Sequence, residues 1–308
     1  MSADNPPSHH GVADDTHGEF PNETIKLLHE RASCRSFLDN PIPEAVLRPV
    51  LQAGIHAPTG GNLQPYSIIE IHDPGNRAAL ARLCGNQPWI ADAPVDLLFC
   101  IDFNRLARWA ELEQAPFTLH SSFRFFWISF QDTIIAAQNI CTAADAVGLG
   151  SVYIGTVLEC FSDLKTMFNL PQAVFPVVLL CLGYPKARPQ PRKKLGVEMM
   201  VHREAYTEPA DDVLLAAFEE KYSGWKLEPT EERLATIEQV CRTVGGETMA
   251  KQCLARIAEK GFIGAVQNYF GLHYRADLMP EGNEQFVALM KEFGLNCFEP
   301  FVPPGERE

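Results

Sequence analysis

Two short segments near the start of the chain constrain it most. The arginine segment, residues 31–37, reads RASCRSF, and the polar loop, residues 57–66, reads APTGGNLQPY. Two arginines on either side of Ser33 offer bidentate donors in a geometry that suits a terminal phosphate. In the polar loop, two adjacent glycines allow close backbone approach to a ligand. The polar edge of a heterocycle would be met by the side chains of Thr59, Asn62 and Gln64.

The bulk composition is that of an ordinary globular protein. The 308 residues are 46% hydrophobic and 21% charged, which suits one large domain with an appendage, or two domains. The formal net charge of -13 argues against a nucleic-acid partner, because binding a phosphate backbone needs a basic face. No apolar stretch reaches membrane-spanning length and no secretory leader is evident, so we expect a cytoplasmic protein that does not enter a membrane.

The cysteine pattern predicts no metal site. None of the nine cysteines forms a Cys-x-x-Cys pair or a close cluster with histidine, as zinc and iron-sulfur sites require. An odd number of cysteines also fits a reducing compartment. Cys34 lies between Arg31 and Arg35, a position that favours a lowered thiol pKa, although packing is the preferred interpretation of this residue.

Hydrophobic periodicity and end signals predict the secondary structure. Asn22 and Thr230 are candidate N-caps, and Gly148 and Gly245 are candidate helix ends. Helices are predicted over residues 22–31, 43–57, 121–147, 230–244, 247–259 and 283–293. Strands are predicted over residues 66–72, 95–101 and 174–182.

Two later segments complete an ordered set of four. The glycine segment, residues 148–155, reads GLGSVYIG, and the LGYP segment spans residues 182–185. The four segments together resemble the FMN-dependent nitroreductase family over roughly residues 22–206. This resemblance implies an α+β fold with a mainly antiparallel sheet flanked by helices, in an intertwined homodimer. A dinucleotide-binding Rossmann fold is disfavoured, because the glycine segment follows a predicted helix rather than a strand.

The resemblance also divides the chain into three parts. Residues 1–21 are predicted to be a disordered arm, residues 22–208 an FMN-binding domain, and residues 209–308 a helical C-terminal extension. Core packing, a dimer-wrapping arm and a substrate lid all stay open as roles for the extension.

By resemblance, specific residues would bind FMN. The phosphate would be held by Arg31, Ser33 and Arg35, helped by Arg192 and Lys194 from the basic run that follows the LGYP segment. Without the resemblance, a surface salt-bridge network explains the same arginines. The isoalloxazine ring would lie against Pro58, Thr59, Gly60 and Asn62, while Gln64 either joins them or caps the loop. The backbone of Ile154 and Gly155 would approach the flavin N5, and the partner subunit would supply some of these contacts.

The implied activity is that of an NAD(P)H-dependent flavin oxidoreductase. Hydride would pass through flavin N5 to a nitroaromatic, quinone or activated-alkene acceptor in a ping-pong mechanism, with no catalytic side chain. No convincing Ser-His-Asp or Cys-His set calls for another mechanism. The aromatic start of the long helix suggests a substrate entrance at Phe123, Arg124 and Trp127. A flavin-binding redox sensor, a specialised reaction such as dehalogenation, and FAD in place of FMN remain as alternatives.

Overall fold

The computed structural model describes residues 20–303 in two compact units. The first contains the chain up to residue 191 and again from residue 285, and the second contains residues 192–284. The chain thus leaves the first unit at residue 191 and returns at residue 285, whereas the predicted division ended the FMN-binding domain at residue 208 and assigned all later residues to the extension. Most of the predicted arm, residues 1–19, lies outside the described residues.

A four-stranded antiparallel sheet forms the centre of the first unit. Its strands are β1 (Tyr66–Ile71), β2 (Val95–Asp102), β3 (Gly150–Ile154) and β4 (Val174–Gly183), in the order β1-β2-β4-β3. All residues of β2 and β4 are buried, as their nearly continuous apolar sequences predict. The three predicted strands and the antiparallel arrangement are confirmed. The short strand β3 is the one that the sequence did not predict.

Helices make up most of the remaining regular structure of both units. In the first unit they are α1 (Glu23–Glu30), α2 (Glu44–Ile55), α3 (Pro74–Leu83), α4 (Pro88–Asp92), α5 (Phe103–Leu112), α6 (Phe123–Ala146) and α7 (Phe161–Met167). The second unit holds α8 (Val197–Met200), α9 (Asp211–Lys221), α10 (Glu231–Lys260) and α11 (Ala265–Asn268). Helix α12 (Asn283–Glu292) crosses the boundary and leads back into the first unit.

Helix α6 is the long central helix that the sequence predicted. Ser122 caps its start by accepting a hydrogen bond from the Phe125 N–H at 3.3 Å. Its end is closed by Gly148, whose φ of 88° is in the left-handed region that glycine adopts without strain. The Leu149 N–H then bonds to the Ala144 carbonyl at 2.9 Å, which completes a Schellman motif and turns the chain directly into β3.

In the second unit, α10 bends sharply at Gly246. This glycine has φ 76° and ψ -173°, so the two predicted helices are separated there, one residue beyond the predicted end at Gly245. The two arms bury Ile237 and Ile257 in one cluster with Ile263. None of the helices in residues 20–303 combines the length and apolar character that crossing a bilayer requires.

Candidate cofactor site

The arginine segment lies against the edge strand β3 and the end of β4. The Cys34 N–H donates to the Ser151 carbonyl at 2.8 Å, which joins the arginine segment to the glycine segment. Phe37 forms an antiparallel bridge with Pro185, which joins it to the LGYP segment. Three of the four segments singled out in the sequence therefore meet within one chain.

Two glycines make this close approach possible. A Cβ atom on Gly150 would lie 2.7 Å from Cys34 Cβ, and one on Gly183 would lie 2.8 Å from Phe37 Cδ1. Both distances are shorter than real carbon contacts, so any larger residue would push the arginine segment away from the sheet.

We expect Gly150→Ala to lower the free energy of unfolding by about 1–3 kcal/mol, because the added methyl group overpacks the contact with Cys34. Gly155→Ala is the matched control, since no atom lies within 4 Å of the position that its Cβ would occupy. Urea unfolding without added flavin measures both. Equal stability of the two variants would contradict this packing.

The buried carboxylate of Asp145 lies between two arginines, one from the arginine segment and one from the basic run. The side chain of Asp145 is 6% exposed, and its Oδ1 accepts a hydrogen bond from Arg188 Nη1 at 3.2 Å. Arg31 Nε lies 3.7 Å from Asp145 Oδ2, and Arg31 Nη2 donates weakly to Ser151 Oγ at 3.4 Å. Two positive charges thus face one negative charge, which leaves a net positive charge for an anion.

The pKa shifts in this cluster are set by burial. Burial raises the pKa of the Asp145 carboxyl, although Arg31 and Arg188 both act to lower it. Burial likewise raises the pKa of the Cys34 thiol, and this outweighs the nearby positive charges of Arg188 and Arg35. The preferred interpretation of Cys34 as a packing residue agrees with its 2% exposed surface, and the alternative of a lowered thiol pKa does not hold.

Of the other two predicted phosphate ligands in the arginine segment, one is exposed and the other is half-buried. Arg35 is exposed, with its guanidinium 5.7 Å from the centre of the Trp89 ring, and Ser33 is half-buried. Arg192 and Lys194 are exposed residues of the second unit. The first unit itself contributes a member of the basic run, Arg188, that the sequence did not single out for the site.

The polar loop is fixed to the helices behind it. The Gly60 N–H donates to the carboxylate of Asp132 on α6, at 3.0 and 3.2 Å from its two oxygens. Gln64 Nε2 donates to the Ile55 carbonyl at the end of α2, at 3.1 Å, so this side chain caps a helix. The Thr59 hydroxyl accepts from the Gln64 N–H at 3.2 Å. Burial raises the pKa of Asp132, and the Gly60 N–H opposes that rise.

The strained part of the loop presents Asn62 to solvent. Gly61 and Asn62 have φ values of 60° and 56°, in the left-handed region, and both are exposed together with Pro58. Asparagine tolerates this conformation better than most residues. The anchored loop therefore presents the Asn62 amide to solvent, where it can form hydrogen bonds with a ligand.

The glycine segment ends in an open turn after β3. Ile154 is buried at the end of the strand, and Gly155 is exposed with open space where a Cβ would be. The segment thus offers backbone at the surface at Gly155, without a side chain in the way.

Comparison with known proteins places this geometry in a family. Residues 28–184, just over half of the chain, match the model described as the nitroreductase family. The chain belongs to the nitroreductase family. It is 34% identical over 204 residues to an oxygen-insensitive NADPH nitroreductase of Salmonella typhimurium, an alignment that covers 66% of this chain and 82% of that protein. It is also 34% identical over 186 residues to an FMN reductase (NAD(P)H) of Bacillus subtilis, covering 60% of this chain and 75% of that protein.

A solved structure extends the likeness beyond the family model. The structure of a hypothetical oxidoreductase from Bacillus subtilis superposes with a TM-score of 0.69 at 28% identity, covering 90% of this chain and 99% of that one. That coverage exceeds residues 22–206, over which the sequence resemblance holds. This nitroreductase-family chain therefore shares its fold with that protein over most of its length.

The aromatic start of α6 in this nitroreductase-family protein lies at the surface. Phe123 and Trp127 are 50% and 53% exposed, and their rings stack with centres 6.1 Å apart. Arg124 between them is exposed as well. The buried residues of the helix are others, among them Ser129 and Asp132, so these two aromatic side chains lie outside the core.

Asp145, Asp132 and Arg188 were missed as site residues by the sequence reasoning. Both aspartates lie on the buried side of a largely apolar helix, α6, and a carboxylate in such a helix was the available signal. No group of three or more histidine, cysteine or acidic side chains within residues 20–303 is arranged to hold a metal ion.

Proposed function

We propose that this chain is an FMN-dependent oxidoreductase that takes reducing equivalents from NAD(P)H and reduces nitroaromatic, quinone or activated-alkene acceptors. The observation that carries the proposal is the meeting of the arginine, glycine and LGYP segments in a nitroreductase-family fold. The names of the two curated relatives, an NADPH nitroreductase and an FMN reductase, support the same chemistry.

The residues present fit a flavin mononucleotide. Arg31 and Arg35 suit a phosphate dianion, because guanidinium groups match its geometry and the single carboxylate of Asp145 leaves excess positive charge. We assign the ligands of the phosphate to Arg31, Ser33 and Arg35 of the first unit, and the participation of Arg192 and Lys194 stays a prediction from the resemblance. When bound, FMN supplies hydride transfer through its N5 atom.

The polypeptide then has the tasks of orientation and shielding. Asp145 holds the Arg31 guanidinium in place, so less side-chain entropy is lost when the arginine meets an anion. Asp132 fixes the polar loop, whose Pro58, Thr59, Gly60 and Asn62 we assign to the isoalloxazine ring. Gln64 is occupied by the end of α2, which favours its role as a cap over direct contact with the ring. Ile154 and Gly155 bring backbone to the ring without a catalytic side chain.

A homodimer is part of this proposal. The exposed face of α6 carries Phe123, Trp127 and Phe130, and the Phe298 ring adds to it at 5.6 Å from Phe123. An exposed cluster of aromatic side chains marks an interaction surface. In this proposal the second copy supplies some of the contacts to each flavin.

The state of the cysteine side chains bears on the cellular compartment of the protein. All nine cysteines are free, which supports a reducing compartment, and we propose the cytoplasm.

We expect Trp127→Ala to lower kcat/KM for a flat quinone or nitroaromatic by about two- to tenfold, because an aromatic stacking contact contributes about 0.5–1.5 kcal/mol. Steady-state kinetics with a varied acceptor measure this. Trp109→Ala on α5 is the matched control, since Trp109 is equally exposed at 58%. Size-exclusion chromatography of both variants separates loss of an acceptor contact from loss of the dimer, and an unchanged kcat/KM would remove Trp127 from the acceptor site.

Release of the cofactor tests the central assignment. The purified protein is denatured and the mass of the released chromophore is determined. Release of FMN supports the proposal, and release of FAD would show that FAD is the cofactor instead. A colourless protein that binds neither flavin when it is added would overturn the proposal.

A further inference from the structure

Two buried thiols meet at the turn that follows the glycine segment. Cys84 lies at the end of α3 and Cys160 precedes α7, and their sulfur atoms are 4.0 Å apart. Their sequence separation of 76 residues means that the fold, and not local chain geometry, brings them together. Both belong to the first unit.

The environment makes the two thiols chemically different. The hydrogen bond from the Cys84 thiol lowers the pKa of the Cys160 thiol, because it stabilises the thiolate. The same interaction and burial raise the pKa of Cys84. Cys160 is also the more accessible thiol, at 4% exposed against 0% for Cys84, so we assign the first attack to Cys160 and the second to Cys84.

A polar network ties this pair to the glycine segment. The Cys84 carbonyl accepts hydrogen bonds from the Thr156 hydroxyl at 3.1 Å and from Gln87 Nε2 at 2.6 Å. Thr156 directly follows Gly155. The end of α3 and the turn after β3 are already held together without a covalent bond.

We propose that Cys84 and Cys160 are a modification site that a hydroperoxide converts into a disulfide. The Cys160 thiolate attacks one oxygen of hydrogen peroxide, so an S–O bond forms, the O–O bond breaks, and the departing hydroxide takes up a proton to become water. Cys84 then loses its proton and attacks the Cys160 sulfur, so an S–S bond forms and a second water leaves. Two thiols are oxidised by two electrons, and one peroxide is reduced to two waters.

Access to the pair requires only a local opening. Cys84 is 0% and Cys160 is 4% exposed, so the native contact has to open for peroxide to enter. Both residues lie at the ends of short elements, and Gly85 and Asn86 after Cys84 form a turn with positive φ values. Element ends open at lower free energy than the centre of a sheet. The fully buried Cys100 and Cys181 on β2 and β4 lack this route.

The consequence of this disulfide rests on the proposed function. It would link the turn after Ile154 and Gly155 covalently to α3, and so fix the backbone assigned to the flavin ring. The formation of the bond itself depends only on the two thiols, so mapping the disulfide and measuring flavin content test the two proposals separately.

The experiment uses the full-length protein as purified, reduced and then exposed to hydrogen peroxide. Free thiols are alkylated, the chain is digested without reductant, and disulfide peptides are identified by mass spectrometry. The expected result is a peptide that joins Cys84 to Cys160, with both thiols lost to alkylation. Cys297→Ser is the matched control, a buried thiol of the first unit that should leave this linkage unchanged.

Two serine variants test the order of the steps. With dimedone present, Cys84→Ser should trap a sulfenic acid on Cys160, whereas Cys160→Ser should give no adduct on Cys84. A native protein in which Cys84 and Cys160 stay reduced would overturn the proposal. So would a linkage of Cys84 to Cys181, or a disulfide found only at Cys241 and Cys253 in the second unit.

Discussion

Replacing Arg35 by alanine is expected to weaken FMN binding by about one to two decades, because a charge-assisted hydrogen bond contributes about 1.5–3 kcal/mol. Arg35 is exposed, with its guanidinium 5.7 Å from the centre of the Trp89 ring. Because substitutions of exposed side chains change stability little, most of the loss should fall on the ligand. Fluorescence titration of the flavin-free protein with FMN measures the dissociation constant.

Arg31→Ala should reduce FMN affinity by a similar factor and also lower stability. Its guanidinium lies 3.7 Å from the buried Asp145 carboxylate, which would then keep only Arg188 as a positive neighbour. Urea unfolding of both variants without flavin separates the two effects. We expect Arg31→Ala to be the less stable protein.

Riboflavin is the control ligand for both substitutions, because it has the same ring without the phosphate. Its affinity should be unchanged in either variant, while FMN affinity falls. Arg108→Ala is the control variant, since Arg108 is exposed on α5 and pairs with Glu111 at 2.6 Å. Full FMN affinity in Arg35→Ala, or an equal loss of riboflavin affinity, would contradict the phosphate assignment.

The second large effect is expected at Asp96, a carboxylate inside the sheet. It is 0% exposed on β2 and lies opposite Cys181 of β4. Neither of its oxygens has a regular hydrogen-bond partner within residues 20–303. Burial raises its pKa to about 7, although the Cys181 thiol and the Arg77 guanidinium act in the opposite direction.

The sign of the pH effect follows from this raised pKa. The folded protein keeps the proton on Asp96 up to about pH 7, whereas the unfolded chain releases it near the ordinary value of 3.8. The folded state therefore binds more protons in that interval, and stability falls as the pH rises through it. The difference between the two pKa values corresponds to at most about 4 kcal/mol.

Asp96→Asn should remove this contribution, because the amide stays neutral. We expect the free energy of unfolding of the wild type to fall between about pH 4 and about pH 7, and that of the variant to fall less by about 3 kcal/mol. Urea unfolding across this range, with exposed Asp92→Asn as the control, measures the difference. The same slope in Asp96→Asn and in the wild type would show that Asp96 is ionised in the folded protein.

The parts of the fold that obey local rules could be predicted from the sequence. Gly148 ends α6 because only a residue that accepts a positive φ fits there, and the buried strands show as apolar runs. The strand β3 is five residues long and starts at a glycine, so it carries too little pattern to be recognised.

The supporting residues of the site could not be predicted, because they depend on contacts between distant parts of the chain. Asp145 meets Arg31 and Arg188 only after α6, the arginine segment and the basic run have come together. The Cys84–Cys160 contact likewise requires the folded first unit. The resemblance indicated Arg31 as a phosphate ligand, and the structure adds Asp145, the carboxylate that lies beside its guanidinium.

Anaerobic stopped-flow mixing with NADPH tests the proposed function most directly. The account predicts that the flavin absorbance of the purified protein bleaches on mixing and returns when a quinone or nitroaromatic is added. NADH replaces NADPH in a parallel run, so that the preferred nicotinamide is identified. A flavin that neither nicotinamide bleaches would contradict an NAD(P)H-dependent oxidoreductase and favour a flavin-binding redox sensor.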